Sequence, residues 1–225
     1  MDLNEELLNC QKCKRLVAWR EEVARTKKRA YLDWDYWGKP VPGFGDINGQ
    51  VLVVGLAPGA HGSNRTGRMF TGDASGDFLY PALYKAGFAS QPDSLHVGDG
   101  MRLFNMFITA ICRCVPPQNK PSPDEIRNCI PYLKSEISQM KNLEVIVSLG
   151  ALAHYQLLKI YSEMTKSNLK IPFIHGRVEK IGVDLPFIVS SYHPSRQNTQ
   201  TGKLTKEMFD EVWISVNSII NSSHV

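Results

Sequence analysis

The stretch VLVVGLAPGAHGSNRTGRMFTGDASG, residues 51–76, passes from four apolar residues into a loop that contains six glycines. The apolar run is short and ends at glycine, which predicts a buried β-strand. The loop bends often, yet it also carries a flat ring at Phe70 and a carboxylate at Asp73. We therefore expect this strand-to-loop transition to organise both the sheet and a binding site.

Strand-like and helix-like segments alternate along the rest of the chain. Strands are predicted at 103–111, at 144–150 and in the second arm of a hairpin at 177–192, and helices at 75–88, 122–142, 151–164 and 204–220. The second helix opens with Ser122, Pro123 and Glu125, the pattern of a capping box. Strands separated by helices predict an α/β fold with a parallel sheet covered on both faces.

Composition limits the class of protein. Hydrophobic residues make up 43% and charged residues 21% of the 225-residue chain, which is usual for a globular protein in water. No apolar run approaches the ~18 residues of a membrane span, and the acidic start MDLNEELLNCQ is unlike a secretory signal. Five cysteines, an odd number, favour a reducing cytoplasm over a closed disulfide framework. We expect one domain over residues 1–225, with a helical segment at about 1–50 packed onto it.

Three unusual segments follow predicted strands. They are the glycine loop at 55–76, CRCVPPQNKP at 112–121 and HPSRQNTQTG at 193–202. Ligands of open parallel sheets bind beyond the carboxyl ends of the strands. The three segments are therefore expected to meet at one site.

The glycine loop has more than one reading. It lacks the Gly-Lys-Ser/Thr ending of a P-loop and the G-x-G-x-x-G spacing of a dinucleotide loop, so no nucleotide cofactor is expected. A purely structural turn and a loop that stacks Phe70 on a flat ligand both remain open.

The cysteines suggest a metal centre. Cys10 and Cys13 form a C-x2-C pair, and Cys114 and Cys129 provide two more thiols. Such a set suits tetrahedral zinc or an iron–sulfur cluster, and spacing alone does not separate these two from buried free thiols. Cys112 alternates with Cys114 along the strand end, so it is expected to point elsewhere.

His193 follows an apolar strand and precedes a proline, which gives it an extended, rigidly placed backbone. A histidine in this position serves either structure or catalysis. The residues after it are rich in Ser, Arg, Asn, Gln and Thr, whose side chains commonly contact phosphates and sugars.

Together, these motifs resemble the uracil-DNA glycosylase superfamily, and most closely its family 5 enzymes. The segments 36–59 and 114–123 are also similar to that family, and the resemblance extends from Cys10 to about Thr205. It implies a three-layer α/β/α sandwich around a four-stranded parallel sheet. It also implies an enzyme that flips uracil out of DNA and hydrolyses its N-glycosidic bond, leaving an abasic site.

The resemblance assigns roles to individual residues. It implies a structural [4Fe–4S] cluster held by Cys10, Cys13, Cys114 and Cys129. Asp73 and His193 are the implied catalytic residues: Asp73 handles water, and His193 hydrogen-bonds a carbonyl of the leaving base. Phe70 is expected to stack on the extruded base. The full set expected around the base is Gly55, Ala57, Gly59, Phe70, Gly72, Asn119 and Asn198.

Further residues are expected to meet DNA or to compete for the water-handling role. Phosphate contacts are expected from Arg65, Arg68, Ser195 and Arg196. Alternatives to Asp73 are Asp77, Asn64 and His61, of which Asp77 falls in a predicted helix as a surface acid. DNA is the expected partner, and the chain is expected to be a monomer in the cytoplasm of a bacterium or archaeon.

One departure from the related family 4 concerns base selection. Leu56 and Ala57 stand where family 4 has a glutamate, and Ala110 stands where it has a uracil-reading asparagine. A pocket without fixed polar readers rejects a wrong base weakly, so hypoxanthine and xanthine are expected as further substrates. A metal-containing nucleic-acid-binding module without catalysis and a nucleotide-cofactor enzyme are the alternative functions.

Overall fold

The computed structural model describes residues 3–222. Within them, six strands form one sheet in the order β1-β3-β2-β4-β6-β5. The strands are β1 Phe44–Gly45, β2 Val51–Gly55, β3 Met106–Ala110, β4 Val145–Leu149, β5 Val178–Lys180 and β6 Phe187–Ser191. The inner four are parallel, and β1 and β5 pair antiparallel at the two edges.

Helices cover both faces of this sheet. In chain order they are α1 Leu3–Leu8, α2 Lys14–Thr26, α3 Ser63–Thr66, α4 Gly76–Lys85, α5 Pro123–Gln139, α6 Ala151–Thr165, α7 Arg196–Gln200 and α8 Lys206–Ser222. Across residues 3–222, no helix has the length and apolarity needed to cross a membrane.

The inner strands alternate between two cores. Val51 and Val53 of β2 pack into the core shared with α4 and α8, and Leu52 and Val54 pack into the core shared with α5 and α6. Successive side chains of a strand point to opposite faces, so a strand buried on both faces is apolar throughout. The predicted three-layer α/β/α sandwich with four parallel strands is confirmed by this arrangement and by the family match reported below.

The edge strand β1 was not predicted. It has two residues, too few for an alternating pattern to identify it. The hairpin expected at 177–192 forms as the β5–β6 pair.

The capping box at the start of α5 forms as predicted. The Ser122 hydroxyl accepts from the Glu125 backbone N–H at 3.3 Å, and Glu125 accepts from the Ser122 N–H at 2.7 Å. Glu125 also accepts two hydrogen bonds from Arg15 of α2, at 2.6 and 2.8 Å. The cap therefore ties α2, which begins next to Cys13, to α5, which carries Cys129.

Candidate active site

Phe70 and His193 face each other beyond the carboxyl ends of β2 and β6. Their ring centroids are 5.9 Å apart and the planes are inclined by 33°. One ring comes from the glycine loop and the other from the segment directly after β6. The structure thus brings together the two side chains expected on either side of an extruded base.

The position of the Phe70 ring depends on a residue without a side chain at the end of β2. A Cβ on Gly55 would lie 2.7 Å from Cζ of Phe70. Phe70 itself has a backbone φ of +52°, which is rare for a bulky residue and is found where function constrains the chain. The loop holds the ring against the strand end at some conformational cost.

Asp73 lies at the start of α4 with its two carboxylate oxygens in different environments. Oδ1 accepts from the backbone N–H groups of Ser75 and Gly76 at 3.0 and 3.2 Å. Oδ2 lies against Gly59 and Gly62, where a Cβ on Gly62 would overlap it. Among residues 3–222, no donor bonds Oδ2, which leaves it able to bind water.

Burial is the main influence on the charge of Asp73. It raises the pKa of the carboxyl, while the two N–H donors and the nearby Arg65 cation act to lower that pKa. Asp77, the alternative candidate, is exposed one helical turn further on. The structure therefore places Asp73, rather than Asp77, in the enclosed loop.

His193 is held as a neutral imidazole. Burial lowers the pKa of its ring to about 4. Its carbonyl accepts from Nδ2 of Asn198 at 2.9 Å, and a Cβ on Gly150 would lie 3.3 Å from the His193 Cβ. These contacts hold the His193 backbone and Cβ in place, and the lowered pKa leaves the ring uncharged near neutral pH.

The segment after His193 differs in part from what was expected of it. The Ser195 hydroxyl caps α7 by accepting from the Asn198 N–H at 3.3 Å, and the Asn198 amide is used to hold His193. Both side chains therefore shape the loop in this structure. Arg196 is exposed at the first position of α7 and is free to meet a phosphate.

The expectation that Arg65 and Arg68 contact DNA phosphates is wrong, since both side chains are buried. The Arg65 guanidinium carbon lies over the rings of Tyr31 and Trp34, at 3.9 and 4.0 Å from their centroids. The guanidinium also donates to the carbonyls of His61 and Gly72, at 2.7 and 2.8 Å. Arg65 thus links two parts of the glycine loop and lies against Tyr31 and Trp34.

Arg68 forms a buried fork with Asp99, at 2.6 and 2.9 Å, and also donates to Ser94 and Thr71. We expect Arg68→Met to lower the free energy of unfolding by about 3–5 kcal/mol, because it leaves the Asp99 carboxylate buried and unpaired. The Arg68 guanidinium and three backbone N–H groups hold the pKa of Asp99 well below its usual range. Stability from this pair is present above the ordinary carboxyl pKa and is lost as pH falls towards the depressed one.

Chemical denaturation of the wild type and of Arg68→Met from pH 7 to pH 3 measures this effect. Arg102→Met is the matched control, because Arg102 is exposed. A wild-type free energy of unfolding in Arg68→Met, together with a weaker salt dependence of DNA binding, would instead show that Arg68 contacts a DNA phosphate.

Ala57 and Asn119, both expected around the base, follow β2 and β3 respectively. Ala57 packs against the core formed with α5 and α6. Asn119 is exposed in the turn after β3 with a left-handed φ of +58°, and its side chain makes no hydrogen bond within residues 3–222. Gly59 and Gly72 both lie in the glycine loop, beside the side chains of Asp73 and Arg65 respectively.

Two histidines support the site: sequence reasoning missed His175, and it considered His61 only as an alternative to Asp73. His175 stacks on Tyr192 at 4.9 Å and accepts from the Tyr192 N–H at 3.1 Å, which fixes the residue before His193. Nδ1 of His61 is hydrogen-bonded to the Tyr36 hydroxyl at 3.1 Å. No local pattern marks either contact, because the partners are 17 and 25 residues apart in the chain.

The four expected cysteines line one cavity. Three of their sulfurs accept N–H hydrogen bonds: Cys114 from Arg20 at 3.1 Å, Cys129 from the Arg113 backbone at 3.4 Å, and Cys13 from Asn128 at 3.5 Å. Within residues 3–222, no three His, Cys, Asp or Glu side chains are close enough to hold a single metal ion.

Cys112 stays outside the lining of this cavity, and its thiol contacts that of Cys129. N–H donors around thiolates are a usual feature of iron–sulfur sites. The four thiols and the N–H donors at three of their sulfurs would suit an iron–sulfur group.

Comparison with known proteins identifies the family. Residues 42–217 match the family model for the uracil DNA glycosylase superfamily. The chain belongs to this superfamily. It is 50% identical over 211 residues to a type-5 uracil-DNA glycosylase of Thermus thermophilus, which covers 92% of each protein. The expected resemblance to the superfamily and its family 5 is confirmed.

Other glycosylase relatives agree with this placement. A type-5 uracil-DNA glycosylase of Mycobacterium bovis is 45% identical over 94% of this chain and 78% of its own length. One from Pyrobaculum aerophilum is 43% identical over 94% of this chain and 89% of its own. These matches therefore extend over nearly the whole chain.

Proposed function

We propose that this chain is a uracil-DNA glycosylase that extrudes uracil from DNA and hydrolyses its N-glycosidic bond in repair. The observation that carries the proposal is the pairing of Phe70 with His193 across the strand ends, in a chain of this family. A base inside a duplex exposes only its edges, so the enzyme must flip it out at a cost of a few kcal/mol. Stacking on Phe70 returns about 1–3 kcal/mol.

His193 acts on the departing base. Bond cleavage leaves negative charge on the base and positive charge on the sugar. A neutral imidazole can donate one N–H to a base carbonyl, and that hydrogen bond strengthens as the charge develops. The pKa of about 4 means that no proton has to be removed from the ring near neutral pH.

Asp73 acts on the other side of the bond. Its Oδ1 is fixed by two backbone N–H groups, so Oδ2 has a defined direction in which to hold water. As a carboxylate it also offsets the positive charge of the sugar. Gly59 and Gly62 leave room for Oδ2 and its water.

We further propose that hypoxanthine and xanthine are accepted. Gly55 and Ala110 pair at the ends of β2 and β3, and Leu56 and Ala57 follow. None of these side chains can hydrogen-bond a base edge, so selection against other deaminated bases is weak.

The cysteine cavity is proposed to hold a structural [4Fe–4S] cluster bound by Cys10, Cys13, Cys114 and Cys129. Such a group would cross-link the α1–α2 segment to β3 and α5. We expect the purified protein to be brown, with about four iron atoms per chain. Cys129→Ser should lose this iron and unfold at lower temperature, while Cys112→Ser keeps it. Stoichiometric zinc in a colourless protein would exclude the cluster.

A glycosylase assay tests the main proposal. The protein is incubated with duplexes containing uracil, hypoxanthine, xanthine or a thymine mismatch, and abasic sites are cleaved with alkali. Cleavage at uracil supports the proposal, and cleavage at the deaminated purines supports the wider range. Duplex binding without cleavage at any base would favour a non-catalytic binding module. We expect the protein to act in the cytoplasm of a prokaryotic cell, as an enzyme of chromosomal repair.

A further inference from the structure

Arg20 of α2 is a buried cation whose charge is incompletely matched by protein groups. Its side chain is 2% exposed, and Nη1 donates to the Cys114 sulfur at 3.1 Å and to the Cys10 carbonyl at 3.3 Å. Glu21 approaches Nη2 at 3.9 Å, but its side chain is 58% exposed. Among the described residues Nε has no partner.

The other fully buried arginine beside the cavity, Arg113, has a buried counter-charge, although its Nε and Nη1 also lack a hydrogen-bond partner among the described residues. Arg113 pairs with the buried Glu136 carboxylate, which also accepts from Thr109 at 2.8 Å. A buried charge without a counter-charge is strongly unfavourable. Arg20 contacts the cysteine cavity instead of a buried carboxylate. An anionic group in that cavity would therefore supply the missing counter-charge.

The backbone of Arg20 contacts the catalytic side of the molecule. Its carbonyl accepts from Nδ2 of Asn64 at 3.2 Å. Asn64 is fully buried in α3, within the glycine loop, and its own backbone is hydrogen-bonded to Gly59 at 3.0 Å and to Gly38 at 3.1 Å. One residue therefore joins the cysteine cavity to the loop that carries Phe70 and Asp73.

We propose that Arg20 is a positioning residue whose guanidinium binds the anionic group of the cysteine cavity and whose carbonyl fixes Asn64, so that occupancy of the cavity sets the glycine loop. This inference rests on the proposed cluster. It adds a structural coupling between that cluster and the base-binding loop, which the cross-linking role alone does not require.

The proposed coupling predicts two measurable changes, one in the cysteine cavity and one in the glycine loop. In Arg20→Met we expect the visible absorbance to bleach about 10- to 100-fold faster under a chelator, because a hydrogen bond to a charged partner is lost. Amide hydrogen exchange in peptides spanning 59–72 should become about 3- to 10-fold faster, while exchange in α8 stays unchanged. Asn64→Ala should bleach at the wild-type rate and still show the faster loop exchange.

Arg25→Met is the control, because Arg25 lies on the same helix with a 74% exposed side chain. Arg20→Lys keeps the charge and is expected to give intermediate rates; it provides the same comparison if the methionine variant does not fold. Wild-type bleaching and loop exchange in both Arg20 variants, in protein that carries iron, would overturn the coupling and leave the cluster proposal intact. A wild-type protein without iron would overturn both.

Discussion

Replacing His193 with alanine is expected to lower single-turnover excision of uracil about 100- to 1,000-fold, with duplex affinity close to that of the wild type. In the proposed mechanism the imidazole stabilises charge that appears on the base during cleavage. Its loss should therefore act on the chemical step. The ring centroids of His193 and Phe70 are 5.9 Å apart, so the imidazole can reach the edge of a base whose face stacks on Phe70.

The pH dependence separates this role from proton transfer by a charged histidine. Burial lowers the pKa of the ring to about 4, so the neutral form is present from about pH 5 upwards. No loss of rate due to His193 is expected near the ordinary histidine pKa, and protonation of this ring should inhibit only as pH falls to about 4. The unfolded chain takes up this proton at the ordinary histidine pKa. The lowered pKa therefore reduces the stability of the fold as pH falls from that ordinary value to about 4.

His96→Ala is the control, because His96 is an exposed histidine outside the site. Single-turnover rates and duplex binding for both variants, measured from pH 4.5 to pH 9, test the assignment. An activity step near pH 6.5 that disappears in His193→Ala would contradict a neutral donor, and equal losses of rate and affinity would contradict a role confined to chemistry.

The parts of the fold that were predicted correctly depend on local patterns. β2 is a continuous apolar run that ends at glycine, and the start of α5 combines a serine cap with Pro123 and Glu125. Both features are determined by residues next to each other in the chain. The edge strand β1 was missed because two residues cannot display a period.

The errors in the site come from burial, which a charge pattern does not reveal. Arg65 and Arg68 lie in a glycine-rich loop and were expected at the surface. Arg65 is covered by Tyr31 and Trp34, more than 30 residues earlier, and Arg68 is paired with Asp99, 31 residues later. Cys10 and Cys114 are likewise far apart in the chain, and family resemblance rather than spacing anticipated their grouping.

Asp73→Asn is expected to reduce excision by at least about 100-fold while leaving the melting temperature unchanged or raised. The amide oxygen of asparagine can still accept from the Ser75 and Gly76 N–H groups, so the loop keeps its hydrogen bonds. The negative charge that would hold water and offset the sugar cation is lost. Asp77→Asn is the matched control, because Asp77 is exposed in the first turn of α4.

The raised pKa of Asp73 determines the expected direction of the stability change in Asp73→Asn. Burial raises that pKa, so the folded protein holds the proton more tightly than the unfolded chain, and this group lowers stability as pH rises above the ordinary carboxyl pKa. Asparagine removes that penalty, which is why activity and stability should change in opposite directions. The acid limb of the excision profile should lie above the ordinary carboxyl range in the wild type and in Asp77→Asn. A large loss of melting temperature in Asp73→Asn, or wild-type excision, would show that the carboxylate serves the fold rather than the water.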